Sequence, residues 1–159
     1  MLIDKDLELT LRTSATLTTG EGQAFTAGTA YGSEPVDMKA AGIDAAIAEP
    51  LECFVQVTVA SNVGTSIRVS LVADTDGAGG SAVALLDTGV DSSTHQTNYT
   101  VAKGVRSLGF VPPGKITALM RYLTFRVIIV GSGGVSLKAW LSKAGGSAPR
   151  NAGTSIASL

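Results

Sequence analysis

The stretch Gly109–Leu141, GFVPPGKITALMRYLTFRVIIVGSGGVSLKAWL, decides the fold class. Its Met120–Val130 run is the longest uninterrupted β signal in the chain, dense in aromatic and β-branched residues. Read with a period of two, Leu123, Phe125, Val127 and Ile129 fall on one face, and Tyr122, Thr124, Arg126, Ile128 and Val130 on the other. The first set is wholly apolar and predicts a core face; the second is mixed, as on a half-exposed surface. Gly131-Ser132-Gly133-Gly134 interrupts the run, and alternation resumes with Val135, Leu137, Ala139 and Leu141 against Ser136, Lys138 and Trp140. Two alternating runs joined by a short glycine-rich linker predict a β-hairpin. Pro112-Pro113-Gly114 ahead of them predicts a turn.

Outward from this stretch, the same alternation recurs. Leu7, Leu9 and Leu11 alternate with Glu8, Thr10 and Arg12, a short N-terminal strand. Leu51, Cys53, Val55, Val57 and Val59 share a face opposite Glu52, Phe54, Gln56, Thr58 and Ala60. After an Asn62-Val63-Gly64 turn, Ile67, Val69 and Leu71 oppose Arg68, Ser70 and Val72, and the pair reads as a second hairpin. Asp74–Gly80 and Asp91–Gln96 read as loops, while Ala82–Asp87, Tyr99–Ala102 and Ser107–Val111 read as further short strands. Residues 14–50 have no steady apolar period until Val36 and read mostly as extended loop, with one or two helical turns available to Asp37–Ala48. Many short strands with turn signals between them, and no strand–helix alternation, predict an all-β fold: an antiparallel jelly roll or β-sandwich of about eight strands with extended terminal arms. The divisions are an N-terminal strand or arm over 1–13, a body over 14–141 whose 14–50 region is irregular, and a Gly/Ser/Ala-rich C-terminal arm over 142–159.

Composition bounds function. A chain of 159 residues buries a core without disulfides or metal. Twelve basic and thirteen acidic residues leave it near neutrality with no basic cluster, so the electrostatic footprint of a nucleic-acid partner is missing. Only 16% of residues are charged, which suits a surface that neighbours cover in an assembly. Met1-Leu2-Ile3 runs directly into Asp4, Lys5 and Asp6, unlike a secretory leader, and the longest fully apolar run, Val127–Val130, is too short to span a bilayer. Asn98-Tyr99-Thr100 is then a chance sequon. The expected site of synthesis is a cytoplasm, with no membrane partner.

Chemistry-bearing residues are sparse. Asp74-Thr75-Asp76-Gly77 resembles the opening of a calcium loop, making Asp74 and Asp76 the metal candidates, but Ala78-Gly79-Gly80-Ser81 brings no further carboxylate and Asp and Gly are the usual turn formers. His95 is the single histidine; it lies in the polar stretch Ser92–Gln96, and no G-x-S-x-G elbow accompanies it. The two glycine-rich segments, Gly77–Gly80 and Gly131–Gly134, are followed by strand pattern instead of the helix a phosphate cradle needs. Cys53, alone and on an apolar strand face, reads as an inert core residue. The sequence therefore offers no active site, no cofactor and no enzyme. What remains is surface. Tyr122 and Arg126 share one side of their strand, and Lys138 and Trp140 share the outer side of the next; Tyr, Arg and Trp are enriched at interface hot spots, though ordinary cross-strand packing accounts for the same pattern.

Three segments taken together carry a resemblance: Met1-Leu2-Ile3-Asp4-Lys5-Asp6-Leu7-Glu8-Leu9; then Glu49-Pro50-Leu51 leading into a valine-alternating strand; then Pro113-Gly114 before Arg121-Tyr122-Leu123. In this order they resemble the capsid cement, or decoration, proteins of tailed phages, closest to those of the Bordetella podophage type. The resemblance implies a jelly-roll protein that binds the outside of an expanded icosahedral shell and locks major capsid subunits together. The longer Ala-rich Gly32–Ala48 loop and the Gly-rich tail depart from it, so contacts made there do not transfer. The expectation is a virion structural protein, a dimer or trimer whose partners are the major capsid protein and itself. Its contact residues would be Leu7, Leu9, Leu11, Tyr122, Arg126 and Trp140. The alternative is a non-catalytic carbohydrate- or receptor-binding module of a phage tail, against which the single Trp and three Tyr count.

Overall fold

The computed structural model describes residues 8–10, 22–38, 51–89, 99–100, 104–111 and 121–143. The protein is all-β. Its strands are β1 (Gln23–Tyr31), β2 (Val36–Asp37), β3 (Leu51–Val59), β4 (Ser66–Asp74), β5 (Val83–Asp87), β6 (Val105–Val111) and β7 (Tyr122–Lys143). All belong to one antiparallel sheet of order β5-β4-β7-β3-β6, with β1 and β2 along the other edge of β7. No helix occurs among the described residues, so none is long and apolar enough to cross a membrane.

β7 is the axis of this sheet. Its 22 residues form one continuous strand, where the sequence pattern predicts a hairpin. The glycines at 131–134 do not reverse the chain; they turn a corner within it. Gly131 and Gly133 have φ of +92° and +91°, a region that side chains with a Cβ rarely enter. A Cβ at Gly133 would stand 2.2 Å from the Asn62 carbonyl oxygen. Along one edge, Ala27 of β1 alone stands opposite Val130–Gly133, so β1 takes the short way round the corner. Along the other edge, β4 pairs with 122–130 and β3 with 136–143. Both are antiparallel to β7, so β3 and β4 lie end to end instead of forming the second predicted hairpin. Their 60–65 connection follows the corner, with Asn62 N–H donating to Gly134 O at 3.0 Å and Gly64 N–H to Ser132 O at 2.8 Å.

The corner folds the sheet over its own apolar face. Phe25 pairs opposite Val135 in one half of β7, whereas Phe125 pairs opposite Leu71 in the other. Their rings nevertheless meet edge to face, centroids 6.1 Å apart, so the two halves face each other across the core. Leu51, Cys53, Val55, Val57, Ile67, Val69, Leu71, Leu123, Phe125, Val127, Ile129, Val135, Leu137, Ala139 and Leu141 are all buried, as their alternation predicts. Val59 departs from it and is 48% exposed at the end of β3. One side of the fold is closed by Gln23: its amide donates to Tyr31 O at 2.8 Å and accepts from Ser33 N–H at 2.8 Å, joining the two ends of β1. On the far side β5 and β6 lean together, where a Cβ on Gly109 would touch Leu86 at 3.6 Å. The sheet is nearly closed.

The 14–50 region is less irregular than its sequence implies, because β1 and β2 lie within it. In β1 only Phe25 is buried, so the strand has no apolar period to read. The helical turns expected within 37–48, the Pro112–Gly114 turn, the 91–96 loop and the tail beyond 143 lie outside the described residues, apart from Asp37 and Met38 at the start of the first.

Two substitutions test this architecture. Phe125→Ala removes one half of the ring contact from a fully buried site and should cost about 3–5 kcal/mol in urea unfolding. Gly133→Ala forces a side chain into both a positive φ and the Asn62 carbonyl; the backbone conformation alone should cost about 1–3 kcal/mol.

Candidate interaction surface

The fold scatters the residues that the sequence groups as a contact surface. Inward faces of the two β7 halves look at each other, so their outward faces look in opposite directions. Tyr122 and Arg126 are on one outward face; Lys138 and Trp140 are on the other. They cannot make one patch.

Trp140 is not at the surface. It is 2% exposed, stacked on Phe54 of β3 with centroids 5.9 Å apart and planes inclined at 17°. Glu8 bridges to it through an isolated antiparallel backbone pair. Residues 8–10 lie along β7 where β1 has not yet begun: Leu9 N–H donates to Ala139 O at 2.9 Å, and Ala139 N–H donates to Thr10 Oγ1 at 3.1 Å. Leu9 is fully buried in the core and presses on Gly32, where an added Cβ would stand 2.0 Å from the Leu9 carbonyl oxygen. Leu9 is therefore a core residue and not a free contact, and the N-terminal strand is part of the body at this point. Leu7 and Leu11 lie outside the described residues. Beside Leu9, Glu8 and Lys138 form a buried ion pair at 3.4 Å, with side chains 4% and 1% exposed. Both charges have left water, and each helps to offset that cost for the other.

Tyr122 and Arg126 are half-buried. The Arg121 guanidinium lies 5.3 Å from the Tyr122 ring centre while pairing with Asp37 through Nε at 2.8 Å and through Nη2. Tyr122 also backs onto the Asp74–Gly80 loop, 3.4 Å from where a Gly77 Cβ would be, and Tyr31 donates its hydroxyl to Gly79 O at 3.0 Å. Arg126 stands cross-strand from Ser70; its Nε and the Ser70 Oγ are both buried without a hydrogen-bond partner among the described residues. Arg68 of β4 holds Asp87 of β5 through both Nε and Nη2.

The Asp74–Gly80 loop has a structural explanation. Asp74 is fully buried, and its two carboxylate oxygens accept the Thr75 N–H, at 2.7 Å, and the Gly79 N–H. Asp76 accepts the Ala78 N–H at 2.9 Å. A cation entering here would have to displace these donors, and among the described residues no three His, Cys, Asp or Glu side chains converge on one point. Burial raises the Asp74 carboxyl, but the N–H groups of Thr75 and Gly79 outweigh it and hold the group below its ordinary value. Asp87 is also held low, first by the Arg68 hydrogen bonds, against partial burial, and with help from the Gly89 N–H. Cys53 is fully buried, and desolvation, then the Glu52 charge, pushes its thiol far above the usual range. His95 lies outside the described residues.

Alternation placed Val130 on a half-exposed face, as observed, but did not single out the other exposed apolar groups. Val59, Val83, Phe110 and Val130 are each about half exposed, Phe110 at 51% and Val130 at 53%. Phe110 pairs opposite Glu52 on the outward face of β6. The cue was present, since Cys53 neighbours Glu52 and points inward, but it needed the β3–β6 register to be read.

Comparison with known proteins finds no family model that matches the chain, and no curated protein that matches it.

Two outcomes check the charge placements. Glu8→Ala takes the carboxylate 3.4 Å from Lys138 out of a buried site and should destabilise the protein by about 1–3 kcal/mol in chemical denaturation. Asp74 and Asp87 carry depressed folded-state values, so their contribution is complete above the ordinary carboxylate pKa and is lost as pH falls through the lower folded values. The melting temperature should hold level down to about pH 4 and drop below it, and Asp74→Asn should remove part of that drop.

Proposed function

We propose that this chain is a structural virion protein of jelly-roll type. It binds the outer surface of a phage capsid and stabilises contacts between major capsid subunits, having been made in the host cytoplasm. Its work is contact and not catalysis. The observation that carries the reading is the surface: a nearly closed, glycine-cornered body leaves Val59, Val83, Phe110 and Val130 about half exposed on a chain in which 16% of residues are charged. Such groups gain by being covered, and many modest contacts repeated by capsid symmetry add to strong attachment. The ordered resemblance of the 1–9, 49–51 and 113–123 segments to phage cement proteins supplies the identity of the partner. The ionisable groups described above support the same reading, since Asp74 organises a loop and Asp37, Asp87 and Glu8 pair with Arg121, Arg68 and Lys138.

Electron microscopy of particles assembled with and without the chain tests the proposal. Added density on the outside of expanded shells, with greater resistance of those shells to heat, is the expected result. Phe110→Ser should weaken retention on shells in co-sedimentation while changing the stability of the free protein by only about 0.5 kcal/mol, as exposed substitutions do. Failure to bind expanded shells, combined with specific binding on a glycan array, would replace this reading with that of a tail binding module.

A further inference from the structure

We infer that β1 is a self-association edge, along which a second copy of this chain pairs antiparallel about a two-fold axis. β1 hydrogen-bonds to β7 on one side only. Along residues 24–30, no hydrogen bond other than the β7 ladder is made to any described residue. Ala24, Thr26, Ala27, Gly28 and Thr29 are exposed, so the backbone groups on the outer edge meet solvent.

The other edges differ. β5 and β6 lean against each other at Leu86 and Gly109, and β2 is two residues long. β1 is the remaining long edge among the described strands, and an edge of this kind is a template for another strand. The register shift at Ala27 divides it into two arms, Gln23–Thr26 and Gly28–Tyr31, each four residues and each in ladder register with β7.

The sequence of the edge selects the partner. QAFTAGTAY has no charged residue and no proline, the two devices that commonly keep edge strands apart. In an antiparallel pair about a two-fold axis between Ala27 and Gly28, Thr26 of one copy meets Thr29 of the other, so like charges at both positions would face each other across the seam. β1 has none to oppose. Its outward residues Thr26 and Thr29, paired with Gly134 and Ile128 of β7, are small and β-compatible, leaving room for a neighbouring strand's side chains. A charged or proline-rich foreign segment would gain nothing from this edge that a second copy lacks. The inference stands independently of the capsid partner proposed above, since it concerns the free protein.

Sedimentation velocity over a series from low micromolar to submillimolar protein tests it. Wild type should shift from monomer to dimer mass as concentration rises. The Thr26→Lys/Thr29→Lys variant and the Thr26→Glu/Thr29→Glu variant should each stay monomeric, with melting temperatures near wild type because both positions are exposed. Mixing the two variants should restore the dimer mass, because opposite charges then meet across the seam. A wild type that stays monomeric throughout, charged variants that still dimerise alone, or a mixture that fails to pair would each overturn the inference.

Discussion

The structure depends on one strand serving both halves of a folded sheet at once. β7 pairs with β4 along its first half and β3 along its second, and both halves present apolar side chains to the same core. A straight strand of 22 residues would be about 70 Å long and could face only one core layer. The corner at Gly131–Gly134 resolves this, and it needs glycine because positive φ and the close approach of Asn62 leave no space for a Cβ. Everything downstream of that bend follows. β1 bends in step through Gly28, whose φ is +109°; the 60–65 segment tracks the outside; and Phe25 reaches Phe125 only because the halves have been brought together.

Much of this was legible, and the limits have physical causes. The inward alternation of Leu123 to Ile129 and of Val135 to Leu141 reads correctly, because each residue type is dictated by the core it faces. What period two cannot reveal is whether a glycine break reverses the chain or bends it. Gly-rich linkers between alternating runs serve both, and the choice here lies in partners far away in sequence: Asn62 and Gly64 hydrogen-bond into the corner where a hairpin would have bonded to itself. β1 was illegible for a different reason. An edge strand with one buried residue, Phe25, carries almost no hydrophobic pattern, and its existence is decided by the β7 edge that it covers.

The contact residues were harder to read than the core, because the outward face of the β3–β7 ladder is also covered. Phe54, Gln56, Thr58, Lys138 and Trp140 are all buried opposite a correct inward set. Alternation placed Lys138 and Trp140 on the outer side of their strand, where a polar residue between two apolar ones ordinarily marks solvent. Trp140 thus looked like an anchor for a partner when it is an anchor for Phe54 and for Glu8. Phe110 shows the converse: an aromatic with no distinctive spacing stands half exposed. Burial on an outward face is a property of what lies above the sheet, and a strand's own sequence does not contain it.

Residues 8–10 show how two such faces are tied together. In an antiparallel pair, a slip of one residue exchanges the two faces of a strand. Here that slip would bring Glu8 into the core and turn Leu9 out of it. In the observed register Leu9 fills the core beside Gly32 while Glu8 meets Lys138 on the opposite face. A buried ion pair contributes little net stability over a well-packed apolar pair, but losing one partner leaves an uncompensated charge. The Glu8–Lys138 pair therefore acts chiefly against the wrong register, and Leu9 supplies the favourable burial in the right one. An N-terminal segment with leucines alone could slide along β7 by two residues and keep an apolar face inward. Glu8 stands opposite Trp140, one residue pair from Lys138, so a slide that carries it away from Lys138 parts the ion pair inside the fold and is disfavoured.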